Sequence, residues 1–182
     1  MSGPSRRQFL DFIMWKRRTF HECASELEQI SSKFRKAHLG VGYNSESARQ
    51  TALSSSSVEG VEILRILALA IRSEQDQGII PSDTTSVGAL NREFEEERCA
   101  EFREAYVPPA SSVEGFHPLP LREALNKIAH ADGMKSGYFA DSENHDLILF
   151  GKLGNKWWAA VISIPDLCRV VKELPDAPVP TA

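Results

Sequence analysis

Three side chains in the stretch LREALNKIAHAD, Leu121 to Asp132, are of kinds that can do chemistry: Arg122, Asn126 and His130 follow one another at four-residue steps. On a helix that spacing lines them along one face. Histidine changes charge near neutral pH, so His130 can both take and give a proton. The forked guanidinium of Arg122 suits a phosphate oxygen, and the Asn126 amide can orient a hydroxyl or an imidazole. Together they hold the minimum for metal-independent RNA cleavage, in which a 2′-hydroxyl attacks its neighbouring phosphate while a base removes its proton and cations stabilise the oxyanion. The same residues also have plainer uses. Arg122 can pair with an acidic neighbour, Asn126 can bond backbone, and His130 can sit as a cation at a helix C-terminus, where the dipole favours it.

The elements that must position the stripe follow from the apolar pattern around it. Leu121, Leu125 and Ile128 form the opposite, core-facing side of the same helix, which is entered through FHPLP and left through GMKSG. Upstream, the run from Arg6 to Lys36 contains no Gly or Pro and spaces Phe9, Ile13, Phe20, Leu27, Ile30 and Phe34 as one long helix, or two in line. SSSSVEGVEILRILALAIRSEQD offers serine caps and a strongly apolar helix carrying Val58, Val61, Leu64, Ile66, Leu67 and Ile71. ALNREFEEERCAEFREAYV restarts a helical pattern on Leu90, Phe94, Ala100, Phe102 and Tyr106, and VPPASSVEGFHPLP is a linker. After Gly133 the period changes: YFA, DLILFGK and KWWAAVIS are short β-prone runs separated by turns, a three-stranded antiparallel meander. IPDLCRVVKEL, with Pro165 in its first turn, closes the chain as a helix packed on the sheet.

The stretch LNKIAHA at the end of a helix, after several long helices, resembles the HEPN domains, whose closing helix carries Arg, a polar residue and His in an R-x(4–6)-H pattern often written R-N-x-x-x-H. The resemblance covers about seven residues closely, extends loosely over the helical part, and stops at the meander. It implies a helical dimer with two motifs at its interface, acting as a ribonuclease in toxin–antitoxin, phage-defence or RNA-processing systems. In this chain Leu125 stands where the family commonly has Arg, and the nearest Arg, Arg122, is eight positions before His130, about 12 Å along a helix axis. A shared phosphate then requires an antiparallel partner helix, hence the expectation of a homodimer.

Further phosphate or RNA contacts are expected from Lys16, Arg17 and Arg18, beside Trp15, and from Lys127. Glu93, Glu96 and Glu97 lack the E-x-x-H of a carboxylate di-iron bundle, and His21 and Cys23 point about 200° apart on a helix, so neither a metal site nor a cofactor is expected. Cys23, Cys99 and Cys168 are widely spaced and odd in number, which fits reduced packing residues. The adjacent Trp157 and Trp158 must face opposite sides of a strand, the outward one marking a contact surface.

Over 182 residues the net charge is −4, unevenly spread: residues 1–50 hold nine Lys/Arg against five Asp/Glu, residues 51–115 five against twelve. A basic arm beside an acidic middle can bind phosphates, or the two can pair when helices pack. The longest apolar run, Ile66 to Ile71, is far short of a membrane span, and the first residues do not read as a secretory signal, so a cytoplasmic protein is expected. The expected architecture is mainly α: a helical bundle over residues 1–133, a small β meander with a closing helix over 134–176, and a frayed tail at 177–182. The expected function is binding of RNA or of a protein partner, such as a toxin or antitoxin, with a metal-independent endoribonuclease as its enzymatic form. The alternative is a non-enzymatic immunity or regulatory subunit that docks a partner through the meander.

Overall fold

The computed structural model describes residues 19–81 and 85–175. Helix α1, Phe20–His38, opens on a capping box: the Thr19 hydroxyl accepts from the Glu22 backbone N–H, and the Glu22 carboxylate accepts from that of Thr19. Helix α2, Glu46–Asp76, starts at the Ser45 cap and packs along α1 as a hairpin. Leu27 and Ile30 of α1 meet Leu64, Leu67 and Ile71 of α2 in the core, whereas Val58 and Val61 stay exposed.

The chain then forms β1, Ser86–Phe94, and passes through a short 3-10 turn into α3, Cys99–Ala105. Next come β2, His117–Pro120, and α4, Leu121–His130, the helix of the polar stripe. Strands β3, Gly137–Ala140, β4, His145–Leu153, and β5, Lys156–Ser163, lead into α5, Ile164–Glu173. The five strands make one antiparallel sheet in the order β2-β1-β5-β4-β3. The meander, its β4–β5 hairpin and the closing helix lie where the sequence puts them. In that hairpin Leu153 pairs with Lys156 across a two-residue turn, and only its first residue, Gly154, has positive φ, at 61°, the pattern of a II′ turn.

The expected helical bundle is not what forms. Residues 89–94, taken as the start of a helix, belong instead to the strand Ser86–Phe94 inside the sheet, and the helical pattern is real only over Cys99–Ala105. The cause lies in burial. Val87 and Leu90 face the helices while Ala89 faces the other side, all at most 2% exposed, so the strand is apolar on both faces and carries no alternation to recognise. Register shifts against β2 and β5 break the period further. The FHPLP entry, read as linker, supplies β2, an edge strand, where proline is tolerated. Because β1 pairs with β5, strand pairing also crosses the expected boundary at residue 133.

One sheet face packs on α1, α2, α4 and α5 through Leu90, Leu149, Trp158, Ala160 and Ile162. The other, with Ala89, Phe94, Ile148, Phe150 and Val161, is covered by α3 and the segment after it through Cys99, Phe102, Tyr106 and Phe116. None of the three cysteines is in a disulfide and all are buried, and burial pushes the Cys168 thiol up to about 12. Among the described residues no helix is long and apolar enough to cross a membrane.

Candidate functional site

Helix α4 sits on the sheet by burying Leu121, Ala124 and Leu125 completely, with Ile128 packed against the same core. Its polar side is mostly committed. One Arg122 guanidinium nitrogen donates to the Arg72 carbonyl at 3.2 Å and to Gln75 Oε1 at 3.3 Å, and the other meets Asp76 Oδ1 at 2.5 Å. These groups lie at the C-terminal end of α2, whose final turn after Arg72 holds no basic residue. Arg122 therefore closes the C-terminus of another helix, where a cation offsets the dipole and satisfies a carbonyl.

Lys127, expected to contact substrate, lays its ammonium 4.5 Å from the centre of the Trp158 ring, and burial pulls its pKa down. Trp158 in turn lies across from Gly151. A Cβ at Gly151 would stand 2.3 Å from the indole and 2.8 Å from the His130 carbonyl oxygen, so glycine there lets the ring and the end of α4 dock. Asn126 is half-buried, and His130 is exposed in the last turn. Arg122 and His130 lie eight residues apart on one straight helix, about 12 Å, and the guanidinium is held at α2, so one chain does not bring them together. Lys16, Arg17 and Arg18 lie outside the described residues.

A different concave site lies between the α1–α2 hairpin, the end of α4 and the β3–β4 edge of the sheet. This groove encloses about 410 Å³, within the range of ligand pockets, and its walls are mainly apolar, among them Leu27, Ile30, Phe34, Leu64, Leu147 and Leu149. Two polar side chains sit within that wall. Ser31 Oγ and His145 Nδ1 are 2.8 Å apart, and the residues are 5% and 9% exposed. The imidazole is stacked on Phe34, ring centres 4.8 Å apart, and Tyr138 stands edge-on to both rings. Burial, with the charges of Arg35 and His38, holds His145 down to about 4, so it is neutral at physiological pH.

A serine hydroxyl against an imidazole is the contact a hydrolase nucleophile makes with its base. Here two further requirements are unmet among the described residues. Ser31 lies inside α1, where neighbouring backbone N–H groups are spent on the helix and offer no oxyanion hole. The adjacent carboxylate, Asp146, projects to the other sheet face and accepts the Tyr106 hydroxyl at 2.7 Å instead of orienting His145. The pair is a polar part of the groove wall.

Sequence reasoning missed this groove because Ser31 and His145 are 114 positions apart and His145 ends a segment, DSENH, that reads as a turn. The local cue was the hydrophobic face of α1, which contains Ser31 between Leu27 and Phe34. No family model, curated protein or solved structure matches the chain.

Proposed function

We propose that this chain is a non-enzymatic interaction protein that captures an extended apolar segment of a protein partner along the β3 edge, with side chains of that segment entering the neighbouring groove. The observation that carries this reading is the position of β3. It is the last strand of the sheet, no described strand pairs with its outer side, its sequence GYFA carries no charge, and it forms one lip of the groove. An extended segment added there gains main-chain hydrogen bonds from the edge, and alternate side chains reach the cavity. The rim adds character: Tyr138 and Val61 each expose over 40% of their surface, and Arg65 lines the mouth while pairing with no carboxylate among the described residues. An acidic residue beside the apolar run suits that rim.

The test is a titration of the isotope-labelled chain with a hexapeptide alternating valine and threonine and ending in aspartate. Backbone amide signals of 137–140 should shift, Tyr138→Lys should abolish the shifts, and Arg65→Glu should weaken binding about tenfold. Shifts produced equally by an apolar small molecule such as toluene but not by the peptide would sink the segment reading. The ribonuclease reading retains His130 as an exposed proton donor and acceptor, without the Arg122 clamp beside it in the same chain.

A further inference from the structure

On the sheet face away from the long helices lies a second, smaller cavity of about 270 Å³. Its apolar wall is built by Pro108, Pro109, Ala110 and Val161, and its polar wall by Ser111, Asn144, Ser163, Asp146 and Asp166. The residue that gives this cavity its chemistry is Asp146. It is 6% exposed, its Oδ2 accepts the hydroxyl of an equally buried Tyr106, and its Oδ1 receives no hydrogen bond from the described residues. A carboxylate this largely buried is costly unless a cation, further donors or water in the cavity meet it. Burial accordingly pushes its pKa up, with the Asp141 and Asp166 charges acting in the same direction against the Tyr106 bond.

We infer that this pocket binds a small primary alkylammonium ion, with Asp146 Oδ1 as its counter-ion, Asn144 and Ser111 as further acceptors, and the proline wall against its alkyl stem. Several features select that class. The only other carboxylate in the lining, Asp166, is half-exposed and already paired with Arg169 at 3.1 Å, so the buried part of the pocket presents a single negative charge. Divalent calcium wants six to eight oxygens and usually several carboxylates, which this lining does not assemble. The side-chain amide oxygen of Asn144 is left to accept, since its nitrogen already donates to Asp141 at 3.0 and 3.2 Å. The volume falls just below that of pockets for drug-sized ligands, so the stem is a few carbons long. This site is independent of the groove: it lies on the opposite face of the sheet and shares none of its lining.

The experiment uses the full chain at pH 7.5 with n-butylamine as the probe, followed by calorimetry and by backbone amide shifts. Butylamine should bind with a dissociation constant of about 1 mM or tighter and shift the amides of 110, 111 and 144–146. Matched n-butanol and potassium chloride should leave those signals in place. Asp146→Asn, which keeps an acceptor for Tyr106, should weaken butylamine about tenfold, and Asp166→Asn, at the exposed mouth, about twofold to threefold. Should Asp146→Asn fail to fold by circular dichroism, the Asp166→Asn value carries the test. No binding at ten times that concentration, equal binding of butanol, displacement by potassium, or an unchanged constant in whichever variant folds would each overturn the proposal.

Discussion

Replacing Arg122 by Met separates a structural guanidinium from a chemical one, because methionine keeps much of the aliphatic stem and removes only the donors and the charge. Three contributions then disappear from the end of α2. The Arg72 carbonyl loses a charged donor, Asp76 loses its ion pair, and the last turn loses the only cation that faces its dipole from α4. A hydrogen bond to a charged group contributes about 1.5–3 kcal/mol when buried. Arg122 is one-third exposed and Asp76 nearly two-thirds, so solvent screening reduces the ion pair to well under 1 kcal/mol. The dipole adds about 0.3–1 kcal/mol. Water will satisfy part of what is lost, and the sum is a destabilisation of about 1–2 kcal/mol. With a urea slope of about 2 kcal/mol per molar, the unfolding midpoint should fall by about 0.5–1 M. Amide exchange in the last turn of α2, residues 73–76, should accelerate more than in the middle of that helix. Arg122→Lys should recover the charge but only part of the loss, since an ammonium lacks the fork that reaches two helix groups at once. A midpoint within 0.2 M of the parent chain, with unchanged exchange at the end of α2, would refute the clamp and return Arg122 to the pool of free phosphate ligands.

Other outcomes follow from the same geometry. Folded His145 titrates at about 4 and an unfolded histidine near 6.5, so the unfolded chain takes up a proton the folded chain refuses as pH drops through that window. Stability contributed by the neutral ring is thus full above pH 6.5 and declines toward 4, by about 2 kcal/mol at pH 5. Urea midpoints at pH 7.5 and 5.0 should therefore separate more for the parent than for His145→Asn, and parallel pH profiles would contradict the assignment. Gly151→Ala, which forces a methyl into the Trp158 ring and the His130 carbonyl, should cost about 1–3 kcal/mol and alter tryptophan fluorescence, whereas a neutral effect would mean the hairpin and α4 are not in register. His130→Ala, at an exposed position, should change stability by less than about 0.5 kcal/mol, and neither it nor the parent should cleave a single-stranded RNA in EDTA. Loss of a parental cleavage on that substitution would revive the ribonuclease reading.

The parts of the fold legible in the sequence are those whose burial is one-sided. α4 shows its apolar face at Leu121, Leu125 and Ile128, and α5 shows Leu167, Val170, Val171 and Leu174 after Pro165 in its first turn. The β4–β5 hairpin is marked by Gly154 and by β-prone runs on either side. β1 was hidden by its two-sided burial and irregular register, and because the glutamates that follow it continue into a real helical turn. The charge asymmetry was informative in its plainer form. One basic residue of the first segment, Lys33, pairs with Glu59 of the acidic middle, and Arg122 reaches Asp76 of the same middle. The groove was illegible for a topological reason: its walls come from α1, α2, α4, β3 and β4, and no window of the sequence contains the Ser31–His145 pair.

The polar side of α4 serves mainly to anchor it, and its C-terminal end borders the groove. Arg122 holds α2, Glu123 holds Arg92 of β1, and Lys127 covers Trp158 of β5, so successive polar residues of one short helix fasten three different elements. Such a helix is a wedge whose polarity serves docking, since each cation lies over a dipole, a carboxylate or a ring instead of facing solvent. Its free end, at Ile128 and Ala131, lines the groove. Fixing α4 against both α2 and the sheet keeps the α1–α2 hairpin and the β3–β4 edge at a set separation, and that separation is the width of the cavity. The Arg122 clamp thus acts on the groove as well as on stability: Arg122→Met should weaken capture of the valine–threonine peptide even where the chain remains folded.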